Sequence, residues 1–579
     1  MNTAKEALES ISLAIIGSGG AGAMTAGGIL LEAAGKSGWH GMMNRSVGPQ
    51  IRGGEAAALL RFANHPVACM SENYDLLIAI DWKNANRFAA EMPLKSDGLI
   101  IADPSAGDVP VEVSGSGATI VEIPIKELAS SIPGGRENMI ATGIAAGFTG
   151  LSVDHLMEVI AASLASKGEK AITASRACVE LGMEYAAKQQ RTFTISHPRK
   201  LESGRWLITG NEAIGLGAIR GGVRFAAAYP ITPATEVLEW LAPSLAEVGG
   251  ALLQAEDELA SINMAIGASY GGLPSITATS GPGLSLMLES LGLATAAEVP
   301  IVVVDVMRVG PSTGIATKSE QSDLNIAVYG MHGDAPHVVV APLTVADCLY
   351  SAQWAVHLAE AMQVPVVVLS DQSLGQARVL MEKPANLAFF AKRKVWDDAG
   401  EQPYMRYAIT ADGVSPMALP GTAGGQYTAD GLTHSPRGTP STRSVDQESQ
   451  MQKRHDKVAN FNYGSHWGLI EGDGDTVILT WGSITGPARE AIRTLAAEGI
   501  NVKLVAMRLI LPFPLEDLMA SLEGAERILV VEQNHTGQFF RHVKSHTDLP
   551  GEVRQFHRPG PHLIGAAEIS RHIRDWVKS

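Results

Sequence analysis

The chain has 579 residues, 46% of them hydrophobic and 18% charged. That composition excludes disorder as the main state, and the length exceeds one ordinary core at ~100–200 residues per domain. Forty-five Lys and Arg face 60 Asp and Glu, a formal net charge of −15, which argues against a general nucleic-acid binder or a polybasic membrane anchor. Cys69, Cys178 and Cys348 are far apart, with no CxxC. A disulfide framework and a sequence-local iron–sulfur or zinc site are therefore not expected, and no metal site is assigned to this chain. The N-terminus carries acids and early glycines, unlike a signal peptide, and no run of ~20 apolar residues appears. A cytoplasmic protein without a membrane span is expected.

Residues 1–198 read as one α/β unit. A short apolar strand at 13–16 runs into a glycine turn and a helix over 23–34. Further strands are expected at 74–80, 99–102 and 119–123, and closing helices at 153–165 and 170–187. The polar stretch 197–205, with its proline, is a candidate linker. A second unit spans 205–380, with strands at 224–229, 275–280, 300–306, 337–341 and 364–370 alternating with helical patterns. Such alternation predicts a mostly parallel sheet, and the near-continuous apolar run 302–306 a strand buried on both faces. From 386 to 465 the pattern breaks into an irregular Gly/Pro-rich connection, functional or linking rather than a core. A third α/β unit, 466–579, closes the chain.

Five loops could carry chemistry. Gly17, Gly19 and Gly22 have GxGxxG spacing between strand and helix, right for phosphate at a helix N-terminus. The dinucleotide fingerprint also wants an acid about 20 residues on, at the end of the second strand; that region, Gly35-Lys-Ser-Gly-Trp-His-Gly41, has none. The bland alternative is a turn for close helix–sheet packing. Thr232, in Tyr229-Pro-Ile-Thr-Pro233, follows an apolar strand and sits where an N-cap belongs, with Pro233 suited to the first helical position. Glu258 opens a helix after Glu256 and Asp257. The first two acids suit the helix dipole, but Glu258 is followed by small and apolar residues, and a carboxyl embedded there could donate a proton. Ser280, Gly281 and Gly283 end a strand as SGPG, and amides at such a turn form a nest for an anion or a carbonyl. Arg308 ends the most buried-looking strand, with Ser312, Thr313, Thr317 and Lys318 nearby. A lone Arg at that depth points to an anionic partner, most simply a carboxylate. Thr232, Glu258, Gly281 with Gly283, and Arg308 all fall on one edge of one expected sheet. Gly472-Asp473-Gly474 with Asn501 imitates the magnesium–diphosphate fingerprint of thiamine diphosphate. It precedes a strand instead of following one, so it reads as a turn.

At Tyr229-Pro-Ile-Thr-Pro the chain resembles the α subunits of 2-oxoacid:ferredoxin oxidoreductases. YPITPATE, QAEDELASINMAIGASYGG, TSGPGLSLM, VDVMRVGPSTGIATKSEQSD, RYAITADGVSPMALPG and VVEQNHTGQF follow in order. GSGGAGAMTAGGILLEAAG and SVGPQIRGGE resemble the family's γ domain, fused ahead of the α part, as in the 2-oxoglutarate branch. The resemblance implies three parallel-sheet α/β domains: γ-type, thiamine-diphosphate pyrimidine-type and transketolase C-terminal-like. It implies thiamine diphosphate shared with a β subunit that carries Mg²⁺ and a [4Fe–4S] cluster, ferredoxin as electron acceptor, coenzyme A as co-substrate and an (αβ)₂ assembly. Glu258 would pair with N1′ of the aminopyrimidine, favouring the tautomer that removes the thiazolium C2 proton. Thr232, Arg308 and Thr317 would contact the 2-oxo acid, and Lys318 its distal carboxylate. Gly17, Gly19 and Gly22 would serve coenzyme A or domain assembly, and Glu532-Gln-Asn534 an interface or channel. The reaction implied is decarboxylation of 2-oxoglutarate to succinyl-CoA or its reverse. Branched-chain or aryl 2-oxo acids, a non-catalytic scaffold and a nicotinamide dehydrogenase are the alternatives.

Overall fold

Three sheets carry the chain in a computed structural model that describes residues 8–48, 54–189, 191–193, 195–196, 204–397 and 403–579. Most of the candidate linker at 197–205 and the centre of SVGPQIRGGE, residues 49–53, lie outside them. The fold is α/β throughout. One unit runs to Ile208 and includes Gln376–Pro384 and Gly565–Ala567; the other comprises Thr209–Gly375, Ala385–Ile564 and Glu568–Ser579.

In the first unit, the strand Ser10–Ser18 sends Ile11, Leu13 and Ile15 into one core and Ala14 and Ile16 into another, the period-2 alternation of a sheet covered on both faces. It pairs in parallel with Tyr74–Ala79, which leads on to Leu94–Ala102 and Thr119–Glu122. On its other side the sheet departs from the all-parallel expectation. His40–Val47 and Glu55–Ala63 pair antiparallel, and the second of them pairs antiparallel with Ser10–Ser18. Arg378–Glu382 and Arg205–Thr209 complete that edge. The helix Glu137–Thr149 is buried almost all round. It touches Glu169–Ala187 backbone to backbone, for a Cβ on Gly143 would lie 2.1 Å from the Val179 carbonyl oxygen.

The second unit holds the other two sheets. The larger has the strand order Leu509–Leu511, Val338–Val340, Pro365–Asp371, Ile301–Met307, Ser275–Thr279, Phe225–Ala228, Ala251–Gln254, all parallel except the first. Ile301–Met307 is buried at every position. The smaller sheet sets Val502–Met507, Thr476–Trp481, Arg527–Glu532 and Glu552–His557 in parallel, with Gly468–Glu471 antiparallel at one edge.

The described parts of the segment from Ala385 to the helix Ser444–Ala459 pack firmly onto the rest of the second unit. Arg393 forks onto Glu360 with both bonds at 2.7 Å, and both side chains are about 5% exposed or less. Glu298, fully buried, receives Lys453 at 2.8 Å and Lys457 at 2.9 Å. Arg406 donates to the Glu298 carbonyl at 2.7 Å. None of these contacts follows from a period, which is why the segment looks structureless in sequence. Among the described residues no helix is long and apolar enough to cross a membrane.

Candidate active site

Parallel strands bring their carboxyl ends to one edge of the larger sheet. Registers Thr279↔Asp305 and Ala228↔Gln254 align those ends. The chain leaves Phe225–Ala228 toward Ala251–Gln254, but leaves Ser275–Thr279 in the opposite direction, toward Ile301–Met307. The two adjacent strands therefore open a crevice where ligands of such sheets collect. The turn 229–233, the SGPG turn, the Glu258 helix and Arg308 surround it.

The helix Glu258–Tyr270 is capped by Asp257, whose carboxylate accepts from the Ala260 amide at 2.7 Å. Asp257 thus has the bland role its position suggested. Glu258 does not. It is 7% exposed, and no described residue hydrogen-bonds its carboxyl. It packs on Gly283, where a Cβ would lie 1.9 Å from Thr279 Oγ1 and 2.8 Å from Glu258 Cγ. Gly281 leaves the same kind of room for another acid: a Cβ there would lie 2.6 Å from an Asp323 oxygen. The expected nest therefore faces two carboxyls of this chain, and each glycine of SGPG is small because one of them stands against it. The Gly283 and Leu284 amides donate to the Ser280 carbonyl at 2.8 and 3.0 Å. The Ser280 hydroxyl is buried without a partner among the described residues.

Arg308, 7% exposed, donates from Nη1 to the Thr232 carbonyl at 2.7 Å, while its buried Nε has no acceptor among the described residues. That bond corrects the reading of Thr232 as an N-cap. An N-cap carbonyl accepts the first helical amide; here the guanidinium has taken it, and the helix starts at Thr235, capped by Ala234 without a side-chain bond. The Thr232 side chain is exposed. Beyond Arg308 the loop doubles back. Val309 donates to the Lys318 carbonyl at 2.9 Å and accepts from Ile315 at 3.0 Å. This sets Thr317 and Lys318 half-buried on a small flap.

Three acids of this site went unread in the sequence. Asp305 lies fully buried in the strand Ile301–Met307; Glu320 and Asp323 follow the flap, and Glu320 is 5% exposed. The available signal was a single acid inside an otherwise apolar strand, Val302-Val-Val-Asp-Val306. The smaller sheet holds this loop in place. Gln321 and Gln533 exchange bonds of 2.8 and 2.9 Å, and Asn534 donates to the Gln321 carbonyl at 3.1 Å. Glu532 accepts the Phe539 and Phe540 amides at 2.7 and 2.9 Å. Glu532-Gln-Asn534 thus joins the two sheets of this unit.

Elsewhere, Ser18 in the glycine loop donates amide and hydroxyl to Asp81 at 2.9 and 2.8 Å, and the Gly19 amide donates to the Gly54 carbonyl. A Cβ on Gly22 would lie 2.5 Å from Asn138 Nδ2. The strand after the loop's helix, His40–Val47, is not a parallel neighbour of Ser10–Ser18. The βαβ unit a nicotinamide site requires is therefore not formed. Gly472 and Asp473 lie in an exposed turn between the strands Gly468–Glu471 and Thr476–Trp481.

Three family models match the chain in order. They are pyruvate ferredoxin/flavodoxin oxidoreductase over residues 12–185, the thiamine-diphosphate-binding model of pyruvate flavodoxin/ferredoxin oxidoreductase over 216–454, and pyruvate:ferredoxin oxidoreductase core domain II over 474–569. The chain is 30% identical to the 2-oxoacid:ferredoxin oxidoreductase subunit alpha of Sulfolobus sp, covering 93% of this chain and 92% of that one. It is 34% identical to 2-oxoglutarate synthase subunit KorA of Methanothermobacter marburgensis, over 64% of this chain and 98% of that one. Among solved structures, 2-oxoglutarate:ferredoxin oxidoreductase from Magnetococcus marinus, with 2-oxoglutarate, coenzyme A and succinyl-CoA bound, superposes with a TM-score of 0.90 at 33% identity, covering 98% and 99% of the two chains. With its sheets, its switch-point crevice and these relatives in agreement, the chain belongs to the α subunits of the 2-oxoacid:ferredoxin oxidoreductases.

Proposed function

We propose that this chain, with a β subunit, converts 2-oxoglutarate and coenzyme A to succinyl-CoA and CO₂ with reduction of ferredoxin, or runs the reverse carboxylation, in the cytoplasm and as an (αβ)₂ assembly. Glu258 carries the reading: a buried carboxyl with no hydrogen-bond partner among the described residues, at the crevice of the segment matched by the thiamine-diphosphate-binding model. Such a carboxyl fits a ring nitrogen of an aminopyrimidine, and the orphaned Ser280 hydroxyl adds a second polar group. Thiamine diphosphate, when bound, supplies the nucleophile and electron sink for loss of CO₂ from a 2-oxo acid. Glu258, seated by Gly283, holds the proton at the pyrimidine, and Gly281 makes room for Asp323. Arg308 takes the substrate carboxylate, for which its planar fork is suited. The exposed Thr232 hydroxyl reaches the 2-oxo group, and Thr317 and Lys318 the distal end.

The half-site character has its own support. Gly472 and Asp473 lie in an exposed turn ahead of a strand, which fits magnesium and diphosphate held by the β subunit. Cys69, Cys178 and Cys348 are buried free thiols, and the [4Fe–4S] cluster belongs there too. Around Glu258, Leu253, Leu259, Met264 and Leu286 are 43–50% exposed, beside the edge strand Ala251–Gln254. An apolar rim along an open sheet edge suits a partner subunit. In the first unit, Gly22 against Asn138 fits domain assembly, and the loop with Gly17 and Gly19 remains the proposed contact for coenzyme A.

The test is viologen reduction by the co-expressed α and β chains with 2-oxoglutarate and coenzyme A. Arg308→Ala is expected to lower kcat/KM by about 1.5–3 kcal/mol, the cost of a lost charged hydrogen bond. Full activity in that variant would leave the chain a scaffold. Turnover of a branched-chain or aryl 2-oxo acid in place of 2-oxoglutarate would overturn the substrate.

A further inference from the structure

Asp305 is the only acid in its strand, is fully buried, and neither of its carboxyl oxygens meets a donor among the described residues. Asp323 lies within hydrogen-bond reach of it, and one Asp323 oxygen is likewise buried without a donor. Two ionised carboxylates face to face in a dry interior repel each other, and without a proton between them two acceptors would abut.

The groups around the pair come from five directions. Arg308 faces both acids, and Glu320 faces Asp323. Glu320 accepts from the Gly310 and Gly560 amides at 3.4 and 3.3 Å, with His535 beyond it. The start of the helix Gly281–Ala296 meets Asp323, and Glu258 stands behind Gly283. On the neighbouring strand, Asp371 is bonded to the Ser319 hydroxyl and the Leu374 amide, both at 3.1 Å. Burial pushes Asp305, Asp323 and Glu320 above the usual carboxylate range. The Asp323 charge adds to the rise at Asp305, and the Glu320 charge to that at Asp323.

We infer that Asp305 and Asp323 share a proton behind Arg308, and that the pair positions this arginine and sets the charge it offers to the substrate carboxylate. The inference rests on the proposed docking of the 2-oxo acid at Arg308. With one shared proton, the pair carries one negative charge and balances the guanidinium. With a second proton, the guanidinium is uncompensated. An incoming carboxylate therefore favours the doubly protonated pair, so binding takes up a proton from solvent. When the carboxylate carbon leaves as neutral CO₂, its bonding electrons stay with the rest of the substrate, the guanidinium faces the pair alone again, and the pair returns its proton to solvent. Asp305 and Asp323 are positioning residues, acting through Arg308.

The experiment uses the assembled enzyme and 2-oxoglutarate. In the parent, KM should rise with pH through the titration of the pair, by up to about tenfold per pH unit for one linked proton. The double variant Asp305→Asn, Asp323→Asn leaves the pair no carboxyl to ionise. Its KM should stay flat over that range and fall below the parent's at the alkaline end, with kcat moving less than KM. The infrared difference spectrum, parent minus the double variant, should contain the C=O stretch of a protonated aspartate. A parent KM independent of pH, a variant profile parallel to the parent's, or absence of that band overturns the inference. If the double variant fails to assemble, Asp323→Asn alone should shift the pH at which KM rises, because Asp305 then titrates without its partner; an unshifted profile overturns the inference. Should Arg308→Ala leave KM unchanged while the infrared band is present, the substrate placement has failed and the proton pair stands.

Discussion

Glu258→Gln is expected to lower turnover of the assembled enzyme by about 10²–10⁴-fold, the range for loss of a positioned proton donor. Glutamine keeps the shape of the side chain and its contact with Gly283, but it cannot exchange a proton with a ring nitrogen. Stability should not follow activity. The carboxyl receives no hydrogen bond from a described residue, so the variant breaks none, and a buried charged form is removed at no loss of packing. Steady-state turnover and thermal unfolding of the same preparation separate the two effects. A variant that keeps its turnover would contradict the role, as would one that loses turnover only in proportion to unfolding.

The largest expected effect on stability lies outside the site. Glu298→Gln should destabilise the chain by about 3–5 kcal/mol, because it leaves the Lys453 and Lys457 charges buried and uncompensated. Glu298 also occupies left-handed backbone, at φ 53°, a conformation a non-glycine residue holds only when its surroundings fix it. Burial alone would raise this carboxyl; Lys457, Lys453 and Arg406 overcome that and hold it well below the ordinary 4.5. A depressed carboxylate contributes stability that is complete above its unfolded value and lost as pH falls below it. The parent should therefore lose stability on acidification below about 4.5 more steeply than Glu298→Gln. Urea unfolding of both chains at several pH values measures this; parallel curves would contradict it.

Much of the site was legible because parallel-strand logic is local. An apolar run followed by Thr232, Ser280 or Arg308 places each residue at a strand's carboxyl end, and alternating helices place those ends together. Hydrogen-bond partners are not local. That Arg308 seizes the Thr232 carbonyl, or that Gly281 and Gly283 yield to two carboxyls, depends on residues tens of positions away. Asp305 was hidden for the opposite reason: a single acid hardly disturbs an apolar pattern, although burial gives it the most consequence. The hairpin of His40–Val47 and Glu55–Ala63 escaped because Gly41-Met-Met-Asn-Arg and Ala56-Ala-Ala-Leu-Leu have neither clean alternation nor a tight-turn signal. The stretch from 386 onward looked like a linker because long-range ion pairs, rather than a hydrophobic period, hold it.

In the proposed half-site, this chain supplies the acid and the guanidinium, and another subunit brings the metal and diphosphate end. Calorimetric titration of Mg²⁺–thiamine diphosphate into the chain alone, and into the chain with its β partner, tests it most directly. Saturable, stoichiometric binding is expected only for the pair of subunits, weakened by Glu258→Gln. Equally tight binding to the isolated chain would contradict it.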